Sequence, residues 1–199
     1  MANLPAPDQL ESVLDQAWQQ LALGASRRHS PFHQGVLASI GEAGVDARYV
    51  VLRGAERSSH TLAFHTDRRS PKCEQLLRHP QVAWCFFGDG VQLRCSGLAA
   101  LLEAGDPLES AWDRTTSFGR RCYRVEQAPG SRLDGPDSGL PASALDPNEP
   151  AEAADSGRPN FARVEVTLQQ IDWLHLGHAG HRRALFEAGD GWQGRWIQP

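Results

Sequence analysis

The sequence is poor in several residue types, and each shortage excludes a class of protein. Lys72 is the only lysine among 20 basic residues, so arginine carries almost all of the positive charge. Met1 is the only methionine, which excludes a flexible methionine-rich binding groove. The four cysteines form no C-x-x-C pair and no zinc-ligand spacing, so we expect them to be reduced and structural, and we expect no metal site.

Long hydrophobic runs and common nucleotide motifs are also missing. No apolar stretch approaches the roughly 20 residues that a membrane-spanning helix needs, and the N-terminal residues lack the basic and apolar regions of a secretory signal. A net charge of −4 gives no general attraction to nucleic acid or to an anionic membrane. There is no P-loop, no G-x-G-x-x-G after a strand and no G-x-S-x-G elbow. We therefore expect a cytoplasmic protein that binds neither nucleic acid nor membrane.

The hydrophobic pattern changes period along the chain. Apolar residues recur at helical spacing over about 7–23, which predicts an amphipathic N-terminal helix. Most of the remaining chain consists of short β-branched and aromatic runs separated by turn residues. Strands are predicted over 36–40, 47–53, 61–66, 81–87, 91–103, 161–176, 181–187 and 192–197. Further helices are predicted over 67–79, 106–112 and 116–125.

Strands outnumber helices, which leaves too few helical crossovers for a parallel sheet. With 199 residues, of which 40% are hydrophobic, the chain is long enough for one well-buried domain. We predict a single domain over residues 1–199 with a mainly β (α+β) fold. Its antiparallel strands form a closed or partly closed barrel with flanking helices.

Residues 128–160 have a different composition from the rest of the chain. They contain 6 of the 13 prolines and almost no large apolar residue. Such a segment cannot bury enough apolar surface to order itself. It is predicted to be a long, mobile loop, interpreted as an unstructured insertion.

Cations and hydroxyls recur around two predicted strands and the helix that follows them. Arg48 and Arg53 flank one strand, Thr66 ends another, and Ser70 and Lys72 stand at the start of a helix. Hydroxyls, helix amides and cations together suit a phosphate monoester. The alternative is that these are ordinary surface features, since arginines at strand ends and Ser-Pro at helix starts are common.

The order of these motifs resembles the pyridoxamine 5′-phosphate oxidase family of FMN-binding split barrels. The pattern R-x-V-x-L-R occupies 48–53, and F-x-T-D-x-x-S-x-K occupies 64–72. An apolar strand follows His79-Pro80, and V-Q-L-R-C-S-G occupies 91–97. The end of the chain, with I-D-W-L, H-R-R and the last nine residues, is similar to that family's closing segment.

The resemblance implies an antiparallel FMN-binding split β-barrel with FMN bound between the two subunits of a homodimer. The positions implied as cofactor contacts are Arg48, Tyr49, Val50, Val51, Leu52, Arg53, His65, Thr66, Ser70, Lys72, Gln92, Gln127, Trp173 and Arg183. Those that match the phosphate-binding positions are Arg48, Thr66, Ser70 and Lys72. The strand 49–52 matches the one whose backbone follows the flavin, and Gln92 matches a glutamine near the pyrimidine end of the ring.

The chain also departs from the family pattern. Pro71 replaces a cation in the phosphate motif, and Arg68 or Arg69 is expected to compensate. The Tyr, Arg and Ser that hold the oxidase's substrate phosphate are not matched, because Arg114 is displaced and no tyrosine is present there. The cofactor pattern is kept better than the substrate pattern, which indicates a related branch of the family.

Three functions remain open from the sequence. The first is an FMN-dependent oxidoreductase that takes an electron pair from a small-molecule substrate and passes it to oxygen or another acceptor. The second is a flavin or haem carrier or sensor without turnover. The third is a true pyridoxamine 5′-phosphate oxidase. The catalytic residues are not identified.

Overall fold

An antiparallel sheet of nine strands forms the body of the computed structural model, which describes residues 7–146 and 149–199. The strands are β1 (Gln34–Gly41), β2 (Gly44–Val51), β3 (Gly54–Glu56), β4 (Thr61–Asp67), β5 (Gln81–Gly88), β6 (Val91–Leu102), β7 (Phe161–His175), β8 (Arg182–Glu187) and β9 (Arg195–Ile197). The helices are α1 (Leu10–Ser26), α2 (Pro71–Arg78), α3 (Asp106–Asp113) and α4 (Ser117–Arg120). No helix in these ranges is long and apolar enough to cross a membrane.

The strand order is β2-β1-β5-β6-β7-β4-β3, with β8 paired to β7 and β9 paired to β8. Only two residues, Leu52 and Arg53, separate β2 at one end of this order from β3 at the other end. The backbone N–H of Leu52 donates to His33 O at 2.9 Å, whereas that of Arg53 donates to Ala63 O at 2.8 Å. The two ends are thus joined by the chain itself and not by a hydrogen-bonded ladder, so the sheet is not closed. The prediction of a mainly antiparallel sheet with flanking helices is confirmed, and the closed form of the barrel is wrong.

Helix α1 covers one side of the core and lies three residues later than the range 7–23. Its buried side chains recur at helical spacing and comprise Val13, Leu14, Ala17, Trp18 and Leu21. They join the inner face of the sheet in one apolar cluster, which includes the fully buried Trp84 and Trp173. Burial of this helical face fixes α1 against the sheet.

Two short elements differ from the prediction. Strand β3 was not predicted, since its three residues include a glycine and a glutamate and carry too little pattern to detect. The helix expected over 116–125 is shorter, because α4 has only four residues and continues as the 3-10 helix Arg121–Tyr123.

The segment 128–160 also differs from the unstructured insertion expected for it. Its described part contains the 3-10 helices Ala142–Leu145 and Ala151–Asn160, and residues 147 and 148 lie outside the described ranges. Ala144 and Ala154 are buried. Small side chains and arginine–carboxylate pairs attach this segment to the fold, and composition alone does not reveal such contacts.

The pairing of β6 with β7 contains an irregularity at Gly97. The register shifts between Ser96 and Gly97, so Ser96 lies opposite Gln170 whereas Gly97 lies opposite Leu168. A Cβ atom on Gly97 would lie 2.1 Å from Thr167 O and 2.9 Å from Leu168 Cα. Because both atoms belong to the backbone, only glycine fits here.

We expect Gly97→Ala to destabilise the protein by about 1–3 kcal/mol, because the added methyl group must displace backbone of β7. Urea unfolding followed by circular dichroism measures the change. Gly135→Ala is the matched control, since a Cβ there has no atom within 4 Å. Equal stability of both variants would show that β7 does not approach Gly97 closely.

Candidate functional site

Two hydrogen-bonded groups of cations and polar side chains lie at α2, and we call them together the Arg48–Lys72 cluster. Its members are Ser39, Arg48, Thr66, Ser70, Lys72 and Gln75. Lys72 Nζ donates to Ser70 Oγ at 2.6 Å and to Thr66 Oγ1 at 3.1 Å. Ser70 directly precedes α2, but its side chain does not cap the helix. Its hydroxyl instead accepts the hydrogen bond from the ammonium group of Lys72.

Lys72 is a partly buried cation without an acidic partner at ion-pair distance among residues 7–146 and 149–199. Burial lowers the pKa of Lys72, and the positive charge of Arg48 acts in the same direction. A desolvated ammonium held only by hydroxyls is costly unless an anion completes its surroundings. The position therefore favours binding of a negatively charged group.

Arg48 is oriented by neighbouring strands and by α2. Its Nη1 donates to Ser39 Oγ at 2.6 Å, and its Nη2 donates to Gln75 Oε1 at 3.0 Å. Nη2 also contacts the carboxylate of Asp46 at the solvent side. Hydrogen bonds from Gln75 and Arg48 lower the pKa of Asp46. The guanidinium is thus held beside Lys72 at the start of α2.

The two arginines expected to replace the missing cation at Pro71 bind elsewhere, so that expectation is wrong. Arg68 forms an ion pair with Glu103. Arg69 binds both carboxylate oxygens of Asp67 and donates to the carbonyl oxygens of Val125 and Glu126. Nearby acids and carbonyl groups compete successfully for both guanidinium groups. The positive charge of the cluster therefore comes from Arg48 and Lys72.

Some of the remaining predicted cofactor residues lie on the outer face of the sheet. Tyr49 alternates with Arg48 along β2 and is 74% exposed. Gln92 lies opposite Leu174, which in turn lies opposite Arg183, so Gln92 and Arg183 share a row across three strands. The outer face thus carries the second part of the predicted cofactor set, separated from the Arg48–Lys72 cluster by the sheet.

Three predicted residues lie apart from both groups. Trp173 and Leu52 are fully buried in the core, where no side-chain surface is open to a ligand. Gln127 is exposed and directly follows Glu126, whose carbonyl oxygen accepts from Arg69.

A further polar cavity of about 450 Å³ lies on the other side of β4, and we call it the arginine cavity. The polar residues that line it are Arg53, Glu56, His65, Arg114, Thr115, Thr116 and Arg163. Since His65 directly precedes Thr66 in β4, the two side chains point to opposite faces. His65 and Arg53, both predicted cofactor contacts, therefore belong to a site separate from Lys72.

The chemistry of the arginine cavity favours an acidic ligand. Arg53 forms no ion pair within the described part of the chain, and Arg114 donates only to Ser110. Burial, assisted by the charges of Arg53, Arg163 and Arg114, lowers the pKa of His65 to about 3. Its Nε2 atom is buried and has no hydrogen-bond partner within the described residues. The histidine is thus neutral near pH 7, beside Arg53 and Arg114, neither of which forms an ion pair within the described residues.

Sequence reasoning did not place Arg114 or Arg163 in a site. Arg114 lies between α3 and α4, and its position depends on how those helices meet the sheet. Arg163 lies on β7, which the long segment 128–160 separates from the other lining residues. The only indication of this site in the sequence was Arg114, which is displaced from the position of the family's substrate-binding arginine.

Comparison with known proteins identifies the fold and shows which family the chain resembles. Residues 11–103 match the model of the pyridoxamine 5′-phosphate oxidase FMN-binding domain. The pyridoxine/pyridoxamine 5′-phosphate oxidase 2 of Arabidopsis thaliana is 28% identical over 173 residues, which cover 80% of this chain and 83% of the relative.

Two solved structures resemble the whole chain. A pyridoxamine 5′-phosphate oxidase-related, FMN-binding protein from Nostoc punctiforme has a TM-score of 0.63 at 20% identity, covering 98% of this chain and 100% of the neighbour. PhzG from Burkholderia lata has a TM-score of 0.67 at 16% identity, covering 99% of this chain and 96% of the neighbour. At these identities the likeness shows the fold, which is the split barrel predicted above. The chain is therefore similar in sequence, over residues 11–103, to the FMN-binding domain of pyridoxamine 5′-phosphate oxidases, and it has the fold of the related solved structures.

Proposed function

We propose that this protein is a homodimeric oxidoreductase that holds FMN between its subunits and acts on a small acidic substrate. The observation that carries the proposal is the ammonium group of Lys72, partly buried, bonded to two hydroxyls and lacking an acidic partner within the described residues. FMN has a phosphate monoester at one end. That dianion would fit the cations and hydroxyls of the Arg48–Lys72 cluster.

At the phosphate end, Arg48 and Lys72 supply positive charge while Ser70 and Thr66 supply hydroxyls. The partly buried position of Lys72 strengthens its attraction to a phosphate, because the surrounding dielectric is lower than in water. Pro71 lacks an N–H group at the first helical position, so the helix start contributes one donor fewer. Side chains therefore carry most of the phosphate recognition.

At the ring end, Gln92 and Arg183 present an amide and a guanidinium on the outer face of the sheet. Such donors beside the pyrimidine edge of a flavin stabilise the negative charge that develops there on reduction. Bound FMN would supply the hydride chemistry. The protein's own contribution is to orient the ring and to stabilise that charge.

The two groups of predicted contacts argue for two subunits. They lie on opposite faces of the sheet in one chain, so a single chain cannot bring both to one ligand. The outer face also exposes large apolar side chains, which are Ile40, Val45, Tyr49, Phe87 and Leu98. A second copy covering this face would bury them and would supply the missing half of the site.

The arginine cavity favours an enzyme over a carrier. A protein that only carries flavin has no need for a second site with unpaired guanidinium groups and a neutral histidine. Arg53, Arg114 and His65 are suited to hold the acidic group of a substrate. We therefore rank turnover of an acidic substrate above a carrier or sensor role. A true pyridoxamine 5′-phosphate oxidase ranks last, because the tyrosine of its substrate site has no counterpart near residue 114.

We also propose that residues 1–199 act as one domain in the cytoplasm. Helix α1 belongs to the same apolar cluster as the sheet, so the two fold together. The four cysteines are free, as a reducing compartment requires.

The phosphate assignment predicts different effects on FMN and on riboflavin, which lacks the phosphate. We expect Arg48→Gln combined with Lys72→Gln to weaken FMN binding about 100-fold, because two charge-assisted contacts are lost. Riboflavin affinity should change little. Quenching of flavin fluorescence measures both affinities. The control is Arg78→Gln, also on α2, whose guanidinium pairs with Glu42 and Glu74 at the surface. An equal loss for both flavins would mean that the phosphate lies elsewhere.

The dimer proposal predicts that a charge on the outer face separates the subunits. We expect Phe87→Asp to yield a monomer with greatly weakened FMN binding, because a carboxylate would be buried without a partner. Size-exclusion chromatography with light scattering measures the mass. Leu77→Asp is the matched control, since Leu77 on α2 is 67% exposed and Phe87 is 59% exposed. The proposal is contradicted if the wild-type protein is a monomer, or if both variants dissociate alike.

The substrate proposal predicts that a phosphate-bearing donor reduces the bound flavin. We expect NADH or NADPH to bleach the flavin absorbance under anaerobic conditions. Arg53→Gln should then raise KM for that donor about tenfold and leave FMN affinity unchanged, because Arg53 lies in the arginine cavity. Arg57→Gln is the control, since its partner Asp15 is also exposed.

Two outcomes of this assay would favour the alternatives. A flavin that dithionite reduces but none of these donors does would indicate a carrier or sensor. Steady formation of pyridoxal 5′-phosphate from pyridoxine 5′-phosphate would identify a true oxidase.

A further inference from the structure

Asp172 lies at the centre of a charged group on the outer face of the sheet. It is on β7, between Arg94 on β6 and Arg183 on β8. Asp172 is only 5% exposed. Its carboxylate contacts both guanidinium groups. One buried acid therefore holds two cations from the neighbouring strands.

The two arginines bind this carboxylate differently. Arg183 uses a fork, in which Nε donates to Oδ1 at 3.0 Å and Nη2 donates to Oδ2 at 2.7 Å. Arg94 uses a single nitrogen, Nη2, and its side chain is 49% exposed. A fork fixes the plane of a guanidinium, whereas a single contact leaves it free to rotate. Asp172 therefore determines the orientation of Arg183 more strictly than that of Arg94.

The fork leaves one end of Arg183 available. Nη1 forms no hydrogen bond with any residue in the described ranges. The same row of the sheet contains Gln92, so its amide and the free Nη1 lie on one face. An arginine held at two nitrogens and open at the third is arranged to donate to an acceptor outside the chain.

The free-energy cost of burying the Asp172 carboxylate supports the interpretation that Arg183 is oriented toward a ligand. A buried carboxylate is stabilised only if its partners compensate for lost hydration, and hydrogen bonds from Arg183 and Arg94 lower the pKa of Asp172 despite its burial. Replacing a buried ion pair by apolar residues is often neutral or stabilising, so stability alone does not explain the group. Fixing the direction of a cation is a purpose that apolar residues cannot serve.

We propose that Asp172 is a positioning residue, which orients Arg183 so that its Nη1 donates to the ring of the bound flavin. This inference rests on the proposed function, because it requires FMN at the outer face. Asp172 itself does not contact the flavin. Arg94 balances the charge of the carboxylate, so the three residues together keep one net positive charge beside the ring.

A double-mutant cycle with riboflavin tests this role. Riboflavin is the probe because it contains the ring without the phosphate. We expect Arg183→Gln and Asp172→Asn each to weaken riboflavin binding about tenfold, and the double variant to be no weaker than Arg183→Gln alone. The control Glu187→Gln removes the acidic partner of Arg195 on the same edge of the sheet and should leave riboflavin affinity unchanged.

The midpoint potential of the bound flavin gives a second readout, with a sign that separates positioning from charge. Removing the negative charge of Asp172 would by itself raise the potential, since a more positive site stabilises reduced flavin. Loss of the Arg183 contact lowers it. We therefore expect Asp172→Asn to lower the potential, as Arg183→Gln does.

Three results would overturn the inference. Additive losses in the cycle would mean that the two residues act independently. A raised potential in Asp172→Asn would mean that the carboxylate acts by charge alone. A lowered unfolding midpoint in urea that fully accounts for the weaker binding would make Asp172 structural. Wild-type protein that binds neither FMN nor riboflavin would instead disprove the proposed function, so the two failures are distinguishable.

Discussion

The alternation of side chains along β-strands is the constraint on which the arrangement of this molecule depends. Successive residues in a strand point to opposite faces. Arg48 and Tyr49 are therefore separated by the sheet, as are His65 and Thr66. The side chains of one short, continuous motif therefore lie on three different surfaces. These are the start of α2, the outer face and the arginine cavity. The order of a motif along the chain thus gives no indication of a single site.

Much of the fold could be predicted from the sequence because its strands have strong local signals. The hairpin between β5 and β6 is an example, since Asp89 and Gly90 have φ values of 52° and 74°, as a two-residue turn requires. Strand β3 could not be predicted, because three residues contain too little pattern. Closure of the barrel could not be predicted either, since pairing between distant edges depends on the whole sheet.

The candidate site was predictable in part. Residue types and spacing indicated the Arg48–Lys72 cluster. The structure brings Lys72 within hydrogen-bond distance of Ser70 and Thr66, whereas Arg48 donates to Ser39 and Gln75. The roles of Arg68 and Arg69 were not predictable from a cation count, because adjacent acids compete for them. The arginine cavity depends on contacts among α3, α4 and β7, which are far apart in sequence. Burial of Trp173 likewise depends on tertiary packing that a motif does not contain.

The passage of the chain from β2 to β3 has a consequence for communication between sites. Arg48 precedes this passage and Arg53 ends it, with the fully buried Leu52 between them. A buried leucine in a close-packed core resists displacement, so the short backbone between the two arginines moves as a rigid unit. If a ligand at one arginine shifts this unit, the affinity at the other changes by the same free energy in both directions. One strand end is therefore the shortest covalent connection between the Arg48–Lys72 cluster and the arginine cavity.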